Sequence, residues 1–132
     1  SITQKNGMIG IGTNAPDQKL TVKGKIHTQE VLVDLNGAVA PDYVFERYYK
    51  GYSALKGDYR MLDLKSLEAF LKENHHLPEI PSAQKLKEDG LELKKMNLLL
   101  LQKIEELTLY TLQQQKQLDA LQGQVHLLTK QE

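Results

Sequence analysis

The stretch LELKKMNLLLLQKIEELTLYTLQQQKQLDALQGQVHLLTKQE, residues 91–132, decides the architecture. Steps alternating three and four place Asn97, Ile104, Thr111, Leu118 and Val125 at a, and Leu93, Leu100, Leu107, Gln114, Leu121 and Leu128 at d, an unbroken heptad register. A 3.5-residue period cannot be buried by a lone straight helix; it demands partner helices in a left-handed supercoil. The sequence therefore predicts a coiled-coil oligomer. β-branched residues at a with Leu at d suit a parallel dimer, so the heptads alone leave dimer and trimer open. The flanking e and g positions carry Leu101, Lys103, Thr108, Tyr110, Gln115, Gln117, Gln122 and Gln124, nearly free of pairing charge, which favours a broader seam. Leu98, Leu99, Leu109 and Leu112 lie off the a/d stripe, so the first half of the helix is expected to be covered by other parts of the fold, and the second half to stand free.

Outward from this helix, composition narrows the function. In 132 residues, 17 basic and 17 acidic side chains cancel and no basic run occurs, so nucleic acid is not an expected partner. Cysteine is absent, which removes disulfides and thiolate chemistry. No apolar run has the length of a membrane span, so no membrane insertion is expected, and the opening SITQKNGMIGIG is not a signal peptide. An opening on Ser1 within a strand-like pattern reads as a piece of a longer protein. A helix of roughly 40 residues at 1.5 Å rise would be about 60 Å long, leaving a small core and a dependence on surface shared between copies.

The expected fold class is α+β: short N-terminal β-strands with a hairpin, a small helical middle, and the long coiled-coil helix. The chain divides into a β-rich, fibre-shaft-like segment 1–40, a small α+β linker or tip region 41–90, and the coiled-coil helix 91–132. Ile9 and Ile11 alternate with Gly10 and Gly12, and Leu20 and Val22 with Thr21 and Lys23, giving two strands around a turn at Asn14–Asp17. Gly7, Gly10 and Gly12 imply that something approaches the backbone closely, a threefold axis being one such reason; a phosphate-binding loop lacks its Lys-Ser/Thr ending. Residues 25–40, with Val31, Val33 and Leu35 before Asn36-Gly37, read as a further strand and hairpin. Asp63 caps a helix ending near Asn74, which is expected to fold back over Leu98, Leu99 and Leu101; Ser82 caps a short helix closed by Gly90.

Five of six tyrosines, Tyr43, Tyr48, Tyr49, Tyr52 and Tyr59, fall together with Phe45. They read either as aromatics over a small core or as a recognition surface for glycan or protein. Adjacent His75 and His76 have no metal-ligand spacing, His27 and His126 are isolated, and no carboxylate pair is fixed by spacing. Glu105 and Glu106 read as solvated. No metal, cofactor or catalytic residue is expected, and nothing argues for an enzyme.

Several ordered pieces carry a resemblance: Gly10-Ile11-Gly12-Thr13, Pro16, Lys19-Leu20, Val22, Gly24, Ile26, Pro41-Asp42-Tyr43-Val44-Phe45, the run from Asn74 to Ala83, and Lys103-Ile104-Glu105-Glu106-Leu107-Thr108-Leu109-Tyr110. Together they resemble the C-terminal module of tail-fibre-domain proteins in Bacteroidota. The resemblance implies a homotrimeric fibre end, joined to an upstream shaft, on an extracellular, cell-surface or phage-like appendage that supports adhesion or receptor binding. The layout is also similar to fibre tips built as intramolecular assembly chaperones that cleave themselves at a Ser-Asp step, but this chain contains no Ser-Asp dipeptide.

Overall fold

The computed structural model describes residues 1–131, which form two compact units, Ser1–Val33 and the chain from Asp34 onward. The molecule is α+β: three short strands in one sheet and four helices, the last of them long.

The first unit is the sheet. β1 (Ile2–Lys5) pairs antiparallel with β2 (Met8–Ile11), which pairs parallel with β3 (Leu20–Val22). Asn6 and Gly7 both take positive φ, 53° and 76°, the geometry of a two-residue hairpin turn whose twist matches the strands. The Thr21 hydroxyl accepts from the Asp17 and Gln18 N–H groups, each at 3.1 Å, and so folds the loop entering β3. The glycines need no axis to explain them. A Cβ on Gly10 would stand 2.4 Å from the Thr13 carbonyl oxygen, and one on Gly12, where φ is +74°, 2.9 Å from that of Lys23. Strand register places Ile2, Ile9, Ile11, Leu20 and Val22 on one face, and the four larger side chains are 39–77% exposed. This sheet has an apolar face with nothing of its own unit over it.

Residues 25–40 do not form the expected strand and hairpin. The Asn36-Gly37 turn is present, with Ala38 N–H donating to Leu35 O at 2.9 Å, yet neither flank pairs with a strand. Val31, Leu32 and Val33 stand 61%, 97% and 46% exposed. Alternating apolar residues without a neighbour to hydrogen-bond remain extended chain, because a strand is stable only as part of a ladder.

The second unit holds α1 (Tyr43–Lys50), α2 (Leu64–Asn74), α3 (Ala83–Asp89) and α4 (Leu93–Lys130). α2 and α3 begin as the sequence predicts: Asp63 accepts from Ser66 N–H at 2.7 Å and Ser82 from Lys85 N–H at 3.2 Å. α1 was not expected as a helix. It closes on Gly51 at φ 83°, and its Glu46 carboxylate, held below the usual range by the Ala54 N–H, pins the following loop. α1 packs across the early part of α4, and the core is Tyr43, Val44, Tyr59 and Leu109. α2 does not cover Leu98, Leu99 and Leu101. Leu98 and Leu99 instead line hollows with Val39 and with Leu86, while Leu101 is 40% exposed.

Candidate functional site

α4 carries two faces, and their contrast defines the site. On one face Gln102, Glu105, Glu106, Leu109 and Tyr110 are buried against α1 and the 59–62 segment. Their spacing of three and four residues is a helical stripe, but one written mostly in polar residues. Each polar end but one Glu105 oxygen is accounted for by a neighbour, as burial in a low dielectric requires. Tyr43 donates to Gln102 Oε1 at 2.5 Å, and Gln102 Nε2 donates to Glu79 at 2.8 Å and to Glu106 at 3.2 Å. Tyr59 donates to Glu106 Oε2 at 2.5 Å, and Lys103 bridges Glu106 at 3.0 Å and Glu79 at 3.3 Å. Tyr110 donates to the Leu62 carbonyl at 2.5 Å.

Electrostatics follows from this burial. Desolvation pushes the Tyr43 phenol up to about 12, helped by the charges of Glu79, Glu105 and Glu106. Desolvation also raises Tyr59, whose proton is further held by its hydrogen bond to Glu106, and raises Tyr110. All three therefore stay protonated as donors. Glu79 takes part from a left-handed backbone, φ 71°, a conformation that costs a side-chain-bearing residue about 1–2 kcal/mol and that its two charge-assisted bonds offset. Glu105 is the exception to full pairing: it is 3% exposed and its Oε1 has no hydrogen-bond partner. Burial first, and then the charge of Asp42, raise its carboxyl to about 7, while the Val44 N–H pulls the other way. Asp42 gives α1 no side-chain cap, and Glu105 lies beside that helix start.

Two expectations from the sequence fail at this face. Glu105 and Glu106 are core residues, not solvated ones, and Glu106 supplies the acceptor that the buried Tyr59 hydroxyl needs. Tyr43 and Tyr59, each 4% exposed with rings 5.1 Å apart, are core and cannot belong to a recognition surface. Of that candidate surface Tyr49 and Tyr52 remain open, 68% and 59% exposed, with half-buried Tyr48 edge-on to Tyr49 at 5.0 Å. His75 is the left-handed C-cap of α2, and His76 sets Nδ1 2.9 Å from the Leu77 carbonyl with its ring edge-on to Phe70. Among the described residues no group of three His, Asp or Glu side chains is placed to hold a metal, and no helix is long and apolar enough to cross a membrane.

The opposite face of α4 is the heptad stripe. Leu93, Leu100, Ile104, Leu107, Leu118, Leu121, Val125 and Leu128 are 43–65% exposed, and Asn97, Thr111 and Gln114 are exposed among them. Beside its first half runs a groove of about 340 Å³, with Leu67, Leu77 and Pro78 on one wall and Leu100, Ile104 and Leu107 on the other. No protein-family model, curated protein or solved structure matches the chain.

Proposed function

We propose that this chain is the trimerising terminal module of a fibre-like appendage, whose own task is to fix three chains in parallel and in register. One observation carries the reading: every apolar a and d residue of the stripe lies on the face of α4 that its own unit leaves open, while the first half of the same helix packs its other face inward. A stripe of this length would be an aggregation liability unless identical stripes cover it, and a heptad repeat is covered best by another heptad repeat. The open apolar face of the β1–β3 sheet adds a second surface that further copies of the chain can bury. The strand number rests on the resemblance to Bacteroidota tail-fibre modules and on e and g edges that carry little charge besides Lys103. The same resemblance supports an upstream shaft, an extracellular, cell-surface or phage-like setting and adhesion as the parent's role, with Tyr49 and Tyr52 as the exposed aromatics available to a receptor.

Solution mass tests this directly. Light scattering at micromolar concentration should return three times the 15.0 kDa chain mass. A monomer or a dimer overturns the reading. The assembly-chaperone alternative is read separately: intact-mass analysis of the parent protein from its source would show the module removed, whereas a structural terminus is retained.

A further inference from the structure

The groove beside α4 has an edge as well as walls. Lys103 and Tyr110, both at g in the heptad register, line it; Leu101 and Thr108, at e, do not. It therefore opens along the g edge. In a parallel coiled coil the g edge of one helix faces the e edge of the next. Leu101 sits on that e edge, apolar, 40% exposed and off the seam. The cations lining the groove are already committed within the chain, Lys103 to Glu79 and Glu106 and Arg60 to the Gly57 and Tyr59 carbonyls, so what the groove offers a neighbour is mainly an apolar surface.

Resting on the trimer reading, we infer that this groove is the seat for the neighbouring copy's α4, with Leu101 of each chain entering the groove of the next around a closed ring. Half of the seat is seam and half is the 62–78 segment. α2 and the residues that flank it then act as a collar that grips the neighbour, not as the wall of a small-molecule pocket. Such head-to-tail contacts close only when the rotation between copies matches the strand number, so the collar would also help set that number. An antiparallel pair would bring g to g and leave Leu101 outside.

The absence of cysteine makes the test clean. A Leu67→Cys/Leu101→Cys double variant treated with a short bis-maleimide should run as a covalent trimer on a denaturing gel, while each single variant runs as a monomer. Wild-type mass by light scattering combined with a monomer on the gel would overturn the collar and leave the trimer standing. A ladder that stops at dimer would keep the groove contact and overturn the trimer. A second variant guards against misfolding: Leu101→Ser, which touches neither core nor seam, should weaken assembly at least about tenfold for the loss of one buried leucine per interface. Unchanged assembly by that variant would refute the seat.

Discussion

The two halves of α4 share one heptad register and differ in everything else. From Leu93 to Tyr110 the helix has a second, inward face that α1 and the tyrosines cover; from Thr111 onward every described residue is exposed except half-buried Gln113. The early half is thus tied to its own chain. A bare helix of about 20 residues is marginal in water, so under the proposed assembly the later half takes its stability from other copies. In that proposal one continuous helix would couple local folding to assembly: the docked half would supply a formed nucleus, and the free half would add affinity by extending it.

The largest effect should come from breaking the free half. Leu118→Asp with Leu121→Asp would place two charges per chain in the seam, and dissociation to a species of 15.0 kDa is expected. Circular dichroism should show the helix lost beyond Thr111 while the tyrosine core persists. Retention of full helicity by a monomer would show that the free half needs no partner.

Next in size is the docked half's inward face. Leu109 is 1% exposed and Leu112, three residues on, is 42% exposed, so the boundary between the halves falls between them. Leu109→Ala should cost about 2–5 kcal/mol in denaturant unfolding, a cavity left in a packed site. Leu112→Ala should stay within about 0.5 kcal/mol. Similar costs for the two would place the boundary elsewhere.

A smaller, pH-dependent effect belongs to Glu105. Its folded carboxyl is raised to about 7 against an ordinary value of 4.5, so between those limits the folded state holds a proton that the unfolded chain has released. The stabilising protonation is complete below about 4.5 and is lost as pH rises towards and past 7. Melting at fixed protein concentration should therefore fall with rising pH across this window, by on the order of 2 kcal/mol. Glu105→Gln, neutral throughout, should remove that slope. Asp63, whose carboxyl the Ser66 N–H holds low, acts in the opposite sense and only as pH falls below the carboxylate range. A slope that survives in Glu105→Gln would assign it to another group.

What the sequence discloses and what it hides divides along the same helix. Caps at Asp63 and Ser82 and the closing Gly90 were readable because each is a local rule satisfied within a few residues, and the α4 helix was readable from its apolar period. β2 and β3 were readable from alternation alone. The strand expected over residues 25–40 failed because alternation promises a face, not a partner. The docked stripe was hidden because its members are Gln102, Glu105 and Glu106, types that ordinarily mark a solvated face. Their spacing to Leu109 was a usable signal, and so were the tyrosines, whose hydroxyls need buried acceptors. α1 escaped because Asp42, at its N-cap, makes no side-chain capping bond.

The finest test lies at the junction of the halves, where Thr111 and Gln114 put two successive polar layers into an apolar stripe. Both are exposed in the single chain, and the Thr111 hydroxyl is turned back onto the Leu107 carbonyl at 2.9 Å, so neither has a partner across the stripe within its own copy. In a coiled coil such layers lower stability but select register, because a slipped alignment sets each amide against leucine. Here they also fall where cover by the chain's own core ends, so register would be fixed at the point where the docked half hands over to the free half. Thr111→Ile with Gln114→Leu should raise the melting temperature, by the equivalent of roughly 1 kcal/mol per layer, while admitting more than one oligomer or register. Light scattering and the Leu67→Cys/Leu101→Cys crosslink would read out that loss of uniqueness. Equal or lower stability with a single unchanged species would show that the two layers do not set the register.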